Sequence, residues 1–430
     1  MINDKSIQKV IIGGVKVTYK EIFNEVVSIM KKDSSTCEDM GAGDYRKYEA
    51  MIRDDMSDEE FTYVVKKYLA TFGMEGHLSF NDTSMGKLGF QVMRYENALY
   101  VTESASDSQL HFKDKIIEID GKTIEQCAAE NEEFLMGETN ERQGCLWNQI
   151  LLFAKTVTVV KDGKLSEVTL KRVEDYSVDN KYSYRDLGKG TLYIKLLDFT
   201  DEGAIRNLYH ECNDLLNSCE NLIVDVRDNG GGTDTAFFPL FEYCYPSDKK
   251  LDDYIPKQPP MAINYSLRNC DARLKLLDEL FKGEIPEDIR PAVENMKNNL
   301  LKYRGQGMVV DESMDDETGI GDIVGRALPH KVWIITDQNC GSSGDAFVYD
   351  MSFSPKVTVV GRPTLGIIDY SNCSVETWEH FKMVYPTSRS GALDFGEGTG
   401  HKGVPVDHYI PWTPEHLERD VDLEYVLEQI

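Results

Sequence analysis

The sequence lacks the motifs of metal and redox sites, and it lacks any long apolar run. Its nine cysteines are dispersed without CxxC spacing and no HExxH motif occurs, so we expect neither a metal nor a cofactor. No apolar stretch approaches the roughly 20 residues of a membrane span. Scattered cysteines and a start without a signal-peptide pattern predict a cytoplasmic protein. A secreted or periplasmic protein trimmed of its leader would look the same.

Positive charge is also scarce. The chain has 47 lysines and arginines against 74 acidic residues, a formal charge of −27 over 430 residues. Such a surface repels nucleic acids and anionic membranes, so neither is expected as a partner. A well-solvated surface is the simplest meaning of this charge, and steering of basic substrates is the alternative. The length allows two or three domains, and the sequence leaves open whether the protein is a homo-oligomer.

Residues 1–176 contain two regions that differ in the spacing of their apolar residues. Capping boxes at Thr18–Glu21 and Ser57–Glu60, each followed by apolar residues at helical spacing, predict an N-terminal helical bundle over residues 1–82. Residues 83–176 instead contain short strands joined by glycine turns, a mostly helical stretch, and a hairpin over Thr156–Val173. A small β domain is therefore expected to follow the helices.

Residues 184–430 alternate strand and helix, which predicts an α/β fold with a parallel sheet. Asn221–Val226 and Lys331–Thr336 are short apolar runs typical of buried parallel strands. Residues 247–322 interrupt this alternation with clustered prolines, helical runs and an acidic stretch. We expect a helical insertion there, and its role as a lid stays open.

Two short motifs follow the buried strands. DVRDNGGG (Asp225–Gly232) is a glycine turn that exposes backbone N–H groups, and CGSSGDAF (Cys340–Phe347) puts Ser342 between a strand and a helix. Taken alone, the first motif would be an ordinary Asn-Gly turn and the second a serine helix cap. Because loops at the carboxyl ends of neighbouring parallel strands face one pocket, we interpret the pair as the nucleophile and oxyanion site of a serine hydrolase.

These motifs resemble the C-terminal processing (tail-specific) serine peptidases, a family that includes tricorn-type proteases. LIVDVRDNGGG, ITDQNCGSSGDAFVYDM, VTVVGRPTLG and GHKGVPVDHYI carry the resemblance over about residues 184–430, apart from the insertion. It implies a crotonase/ClpP-like βαβ protease core that cleaves peptides or unfolded protein tails. It assigns Ser342 as the nucleophile and the amides of Gly231 and Ser343 as the oxyanion hole, with Gly230 as neighbour.

The general base is where the chain departs from one branch of the family. Members that use a lysine carry it on the loop where this chain has Ile367, so a Ser-Lys dyad is not expected. Tricorn-like members take a histidine from the segment before the PDZ domain, and His77 stands there. His401 in the C-terminal loop is the alternative base. The alternative explanation of His77 is that it only ends a helix and has no catalytic role.

The group that orients the histidine is not evident. In the tricorn-like branch a serine beside the histidine and a C-terminal glutamate do this, but the matching positions here are Gly76 and Gly400. The remaining candidates are Glu397, which we take as the third catalytic residue, and Glu75.

The β region resembles the PDZ domain that such peptidases carry. KLGF, which is Lys87, Leu88, Gly89 and Phe90, resembles the carboxylate-binding loop, and DKIIEIDGKTI resembles a second PDZ signature. A PDZ groove binds a peptide as an added strand and holds its terminal carboxylate. A β domain that only braces the core is the alternative.

Two other functions stay open. The first is a catalytically inactive ligand- or peptide-binding protein on the same fold. It stays open because the residue that would orient the histidine is not evident. The second is a crotonase-type acyl-CoA enzyme, which also uses paired backbone amides. A serine at a helix start and a PDZ-like module favour the peptidase over that enzyme.

Overall fold

The computed structural model describes residues 17–430, except residues 75, 137, 162, 175–180, 283, 284, 286, 288, 289 and 311–319. The helices of this part are α1 (Tyr19–Lys32), α2 (Arg46–Glu49), α3 (Asp58–Ala70), α4 (Ile124–Glu130), α5 (Glu132–Leu135), α6 (Trp147–Leu151), α7 (Glu202–Glu211), α8 (Asn213–Ser218), α9 (Phe241–Cys244), α10 (Leu267–Phe281), α11 (Arg290–Tyr303), α12 (Ser343–Ser352) and α13 (Val421–Glu428).

The strands belong to four sheets. They are β1 (Ser79–Asp82), β2 (Phe90–Tyr95), β3 (Ala98–Ser104), β4 (Lys115–Ile119), β5 (Lys122–Thr123), β6 (Thr156–Lys161), β7 (Lys164–Thr169), β8 (Tyr182–Asp186), β9 (Thr191–Leu196), β10 (Asn221–Asp225), β11 (Ala262–Asn264), β12 (Met308–Val310), β13 (Lys331–Thr336), β14 (Val357–Gly361), β15 (Tyr370–Ser371), β16 (Ser374–Trp378), β17 (Phe381–Tyr385), β18 (Ser388–Arg389) and β19 (His408–Tyr409).

The N-terminal helices share their core with strands from the far end of the chain. Both expected capping boxes form, at Thr18–Glu21 before α1 and at Ser57–Glu60 before α3. The apolar faces of these helices pack on the sheet β1-β17-β16, in a single cluster that includes Phe61, Phe80 and Phe381. Residues 1–82 were expected to be a helical bundle, but two of the three strands covering its described part come from residues 374–385.

Residues 83–176 contain a sheet of order β2-β3-β4-β6-β7, with β5 pairing β4. The expected hairpin forms between β6 and β7. Helices α4, α5 and α6 occupy the stretch expected to be mostly helical, and they cover this sheet around the fully buried Trp147. Strand β2 lies at the edge of the sheet, and α6 packs beside it.

The largest module is the sheet β19-β14-β13-β10-β9-β8. Its strands pair in parallel except β8, which pairs antiparallel with β9. The inner strands are apolar along almost their whole length, because helices cover both faces. This is the α/β core expected from the alternation of strand and helix. No helix among the described residues is long and apolar enough to cross a membrane.

The insertion at 247–322 contributes strands as well as helices. Its short strands β11 and β12 extend the sheet β12-β11-β18-β15, while α10 and α11 pack together around Leu277 and Leu300. Strand β15 directly follows the loop that approaches His77. The insertion is thereby joined to the chain segment beside the candidate site.

Candidate active site

The glycine loop and the serine loop leave neighbouring strands on the same side of the sheet. Strands β10 and β13 pair in parallel register, so both chains emerge at one edge. The Gly341 amide donates to the Asn229 carbonyl at 2.9 Å, and the Asp228 amide donates to Asp337 Oδ1 at 3.0 Å. Loops separated by more than a hundred residues in sequence are therefore bonded to each other.

Ser342 lies on a strained turn at the start of α12. Its φ of 57° and ψ of −122° are unusual for a residue with a side chain, and its own amide donates to Asp345 Oδ2 at 2.8 Å. This geometry is typical of a nucleophile that projects from a strand-to-helix turn. The side chain is only half-buried, so a substrate carbonyl can approach its hydroxyl.

Gly231 is packed directly against Ser342. A Cβ atom built on Gly231 would lie 2.6 Å from Ser342 Cβ and 2.9 Å from the Gly341 carbonyl oxygen, and its φ is +89°. Only glycine satisfies both the contact and the left-handed backbone. The glycine at this position is therefore required by the meeting of the two loops.

His77 lies beside the serine although 265 residues separate them in sequence. Its Nε2 is 2.9 Å from Ser342 Oγ. Its Nδ1 is 2.9 Å from the Ile367 carbonyl and 2.6 Å from the Tyr370 carbonyl. A carbonyl oxygen can only accept, so we assign the ring proton to Nδ1 and the free lone pair to Nε2. In that tautomer Nε2 can accept a hydrogen bond from the Ser342 hydroxyl.

Burial lowers the pKa of His77 below its ordinary value of 6.5, against the opposing effects of the two carbonyls and of Asp345. The imidazole is therefore neutral at neutral pH. A neutral imidazole with its lone pair on a serine hydroxyl is the protonation state that a general base requires.

Glu397 was expected to orient the histidine, and the structure does not bring it to His77. Glu397 is exposed and forms no side-chain hydrogen bond to the histidine. Main-chain carbonyls occupy Nδ1 instead. The other candidate, Glu75, lies outside the described residues. His401 pairs with Glu138 through Nδ1 at 2.8 Å rather than with the serine, and this pairing raises the pKa of His401.

The sequence interpretation overlooked Asp345. This fully buried carboxylate accepts the amides of Ser342, Gly366 and Ile367 at 2.8 to 3.0 Å and a hydrogen bond from the Thr364 side chain. Burial raises its pKa. The same carboxylate therefore fixes the serine turn and the loop whose carbonyls hold His77. Its place three residues after Ser342, at a helix N-terminus, was the available signal.

The predicted oxyanion amides differ in their hydrogen bonding. The Gly231 amide donates to Asn229 Oδ1 at 2.9 Å. Among the described residues, the amides of Gly230 and Ser343 have no acceptor, as expected for a loop tip and for the first residue of a helix. The hydroxyl of Ser343 donates to the Gly232 carbonyl at 3.1 Å.

Comparison with known proteins identifies the domain that holds Ser342. Residues 190–373 match the model of Peptidase family S41. The chain contains a serine peptidase domain of this family. The match includes Ser342 and the glycine loop, whereas His77 lies before it. The predicted enzyme class, a serine peptidase related to the tail-specific proteases, is confirmed.

Solved structures extend the likeness to nearly the whole chain. Mature CPAF complexed with lactacystin aligns with a TM-score of 0.59 and 12% identity, covering 96% of this chain and 97% of that chain. A CPAF mutant aligns with a TM-score of 0.62 and 10% identity, covering 96% of both chains. Such low identity establishes a common fold only. No curated protein matches the chain significantly in sequence.

The loop that was predicted to resemble a PDZ carboxylate-binding loop, Lys87–Phe90, forms an isolated bridge with Val173, which follows β7. Lys87 and Val173 exchange backbone hydrogen bonds at 2.8 and 2.9 Å, and Lys87 is exposed. Leu88, Gly89 and Phe90 are buried. The loop therefore leads directly into β2, the edge strand of the sheet.

Three side chains that could hold a metal ion lie together near the sheet β1-β17-β16. Ligand atoms of Asp58, Asp82 and His380 lie within 4.8 Å of one another. His380 Nε2 is 3.1 Å from Asp58 Oδ2, Tyr19 donates to Asp58 Oδ1, and Ser84 donates to Asp82. Hydrogen bonds from Tyr19 and Ser84 thus already engage both carboxylates of the group.

Proposed function

We propose that the protein hydrolyses peptide bonds in peptides or unfolded protein tails through an acyl-enzyme on Ser342, with His77 as general base. The single observation that carries this proposal is the 2.9 Å distance from His77 Nε2 to Ser342 Oγ. It is supported by the neutral state of the buried imidazole and by the accessible hydroxyl on a strained turn.

The chemical steps follow from these atoms. Ser342 Oγ attacks the scissile carbonyl while its proton passes to His77 Nε2. The amide of Ser343 donates to the oxyanion, together with Gly230 or with Gly231 once the latter exchanges Asn229 Oδ1 for the substrate. The leaving amine then takes the proton from His77 as the C–N bond breaks. Water repeats the sequence on the ester and releases the acid.

Main-chain carbonyls replace the usual carboxylate of a catalytic triad in this proposal. The carbonyls of Ile367 and Tyr370 fix the imidazole tautomer and accept the Nδ1 proton throughout the cycle. Asp345 acts indirectly, because its carboxylate accepts hydrogen bonds from the amides of Ser342 and Ile367. Its charge also favours the imidazolium that forms during attack, since it raises the pKa of His77.

The PDZ-like loop at Lys87–Phe90 is proposed to hold the end of the substrate. An edge strand such as β2 can accept an extended peptide as an additional strand, and a loop of backbone amides suits a terminal carboxylate. Substrates would then be delivered by their C-terminal segments.

Hydrolysis of an unfolded protein tests the proposal directly. We expect wild type to degrade fluorescently labelled, reduced and alkylated casein, and Ser342→Ala to lose this activity because the acyl-enzyme cannot form. Ser352→Ala is the matched control, since this exposed serine at the end of α12 only donates to the Tyr349 carbonyl. Undiminished hydrolysis by a folded Ser342→Ala variant, or none by wild type, would contradict the proposal.

A further inference from the structure

Within the part of the chain that the structure describes, one arginine beside the segment that contacts His77 has no acidic partner. Arg273, on α10 of the insertion, is half-buried, and its guanidinium makes a single hydrogen bond in the described part of the chain, to the Asn372 carbonyl at 3.5 Å. Arg268, just over one turn earlier on the same helix, pairs with three carboxylates. Arg304 of the neighbouring α11 forms a two-pronged pair with Asp271.

The unpaired guanidinium lies beside the segment that holds His77. Asn372 lies two residues after Tyr370, whose carbonyl accepts the Nδ1 proton of His77. The next residue, Cys373, donates its thiol to the main-chain carbonyl of His77 at 3.6 Å. Residues 370–373 therefore contact both the histidine and Arg273.

A half-buried guanidinium without an acidic partner raises the free energy of the folded protein unless a ligand binds it. Buried cations are normally paired, because removal from water disfavours the charge. Burial lowers the pKa of Arg273, and the only opposing effect comes from Cys373. The guanidinium fork matches a carboxylate with two parallel hydrogen bonds.

We propose that Arg273, beside the segment that contacts His77, is a carboxylate-binding residue, which selects peptides carrying an acidic side chain or a terminal carboxylate close to the bond that is cut. The inference rests on the proposed peptidase function and adds a substrate class to it. Arg273 binds substrate and takes no part in proton transfer. The insertion thereby contributes to specificity through α10.

Cleavage-site profiling tests this proposal. A proteome-derived peptide library is digested with wild type, Arg273→Ala, Arg273→Glu and the control Lys275→Ala, and the cut sites are read by mass spectrometry. Lys275 is exposed on the same helix. We expect wild type and the control to enrich Asp and Glu about tenfold at one position near the cut. Arg273→Ala should lose this enrichment, and Arg273→Glu should favour Lys and Arg there.

The pattern of enrichment identifies the source of the carboxylate. Acidic residues at a fixed distance from the cut indicate a side chain, whereas cuts at a fixed distance from peptide C-termini indicate the terminal carboxylate. Arg273→Gln with thermal melting replaces Arg273→Ala if the latter does not fold. Cleavage by wild type with neither an acidic preference nor a fixed distance from the C-terminus, or the same selectivity in the folded Arg273 variants, overturns the inference alone. No cleavage by wild type overturns the proposed function as well.

Discussion

Replacing His77 with alanine is expected to lower kcat for peptide hydrolysis by about 10⁴-fold or more while the fold persists. The variant keeps the serine hydroxyl but removes the only imidazole nitrogen within hydrogen-bond distance of it in the described structure. Without a base, the Ser342 hydroxyl must attack while it is still protonated, and a protonated hydroxyl is a weak nucleophile. Steady-state hydrolysis of a fluorogenic peptide measures the loss, and circular dichroism checks the fold.

His401→Ala is the matched control for this variant. His401 was the rival base, but its Nδ1 pairs with Glu138 and its side chain is about half exposed. Its replacement should leave kcat within a few-fold of wild type. A near-normal rate in His77→Ala, or a collapse confined to His401→Ala, would reassign the base.

The second large effect is expected from Gly231→Ala, which should lower kcat/KM by about 10²-fold or more because the nucleophile is displaced. The added methyl would lie 2.6 Å from Ser342 Cβ, closer than such atoms approach, and the backbone would have to keep a φ of +89°. Either the serine turn or the glycine loop must move. Kinetics with the same fluorogenic peptide measure the effect, and a thermal melt separates it from unfolding.

Gly230→Ala provides a control one residue away. A Cβ on Gly230 has no atom within 4 Å, and the substitution keeps the backbone amide. We expect activity within a few-fold of wild type. Equal losses in both variants would show that the loop tolerates no side chain at all, and equal retention would mean that the contact with Ser342 is not needed.

The parts of this site that could be predicted from sequence are those encoded in short local motifs. Ser342 and Gly231 each follow a recognisable buried strand, and parallel pairing brings the ends of those strands together. His77 was singled out only through family resemblance, since nothing in its own neighbourhood distinguishes it from a histidine that ends a helix. The insertion strands β11 and β12 are three residues each, too short to give a periodic signal.

The orientation of His77 could not be predicted because it depends on main-chain atoms. Carbonyl groups are present at every residue, so no side-chain identity marks those of Ile367 and Tyr370. Ile367 stands where lysine-type relatives carry their base. Here the same residue contributes through its backbone, accepting from His77 with its carbonyl and donating its amide to Asp345. The search for an acidic side chain led to Glu397, which is exposed and does not contact the histidine.

The most direct test of the central claim is covalent labelling with a fluorophosphonate probe at neutral pH, mapped by peptide mass spectrometry. An activated serine loses its proton to the base, displaces fluoride from phosphorus and retains the phosphonyl group. We predict one adduct, on Ser342 of wild type, and its absence from His77→Ala over the same time. An adduct on another residue, no adduct on wild type, or labelling of Ser342 at an undiminished rate in His77→Ala would contradict the account.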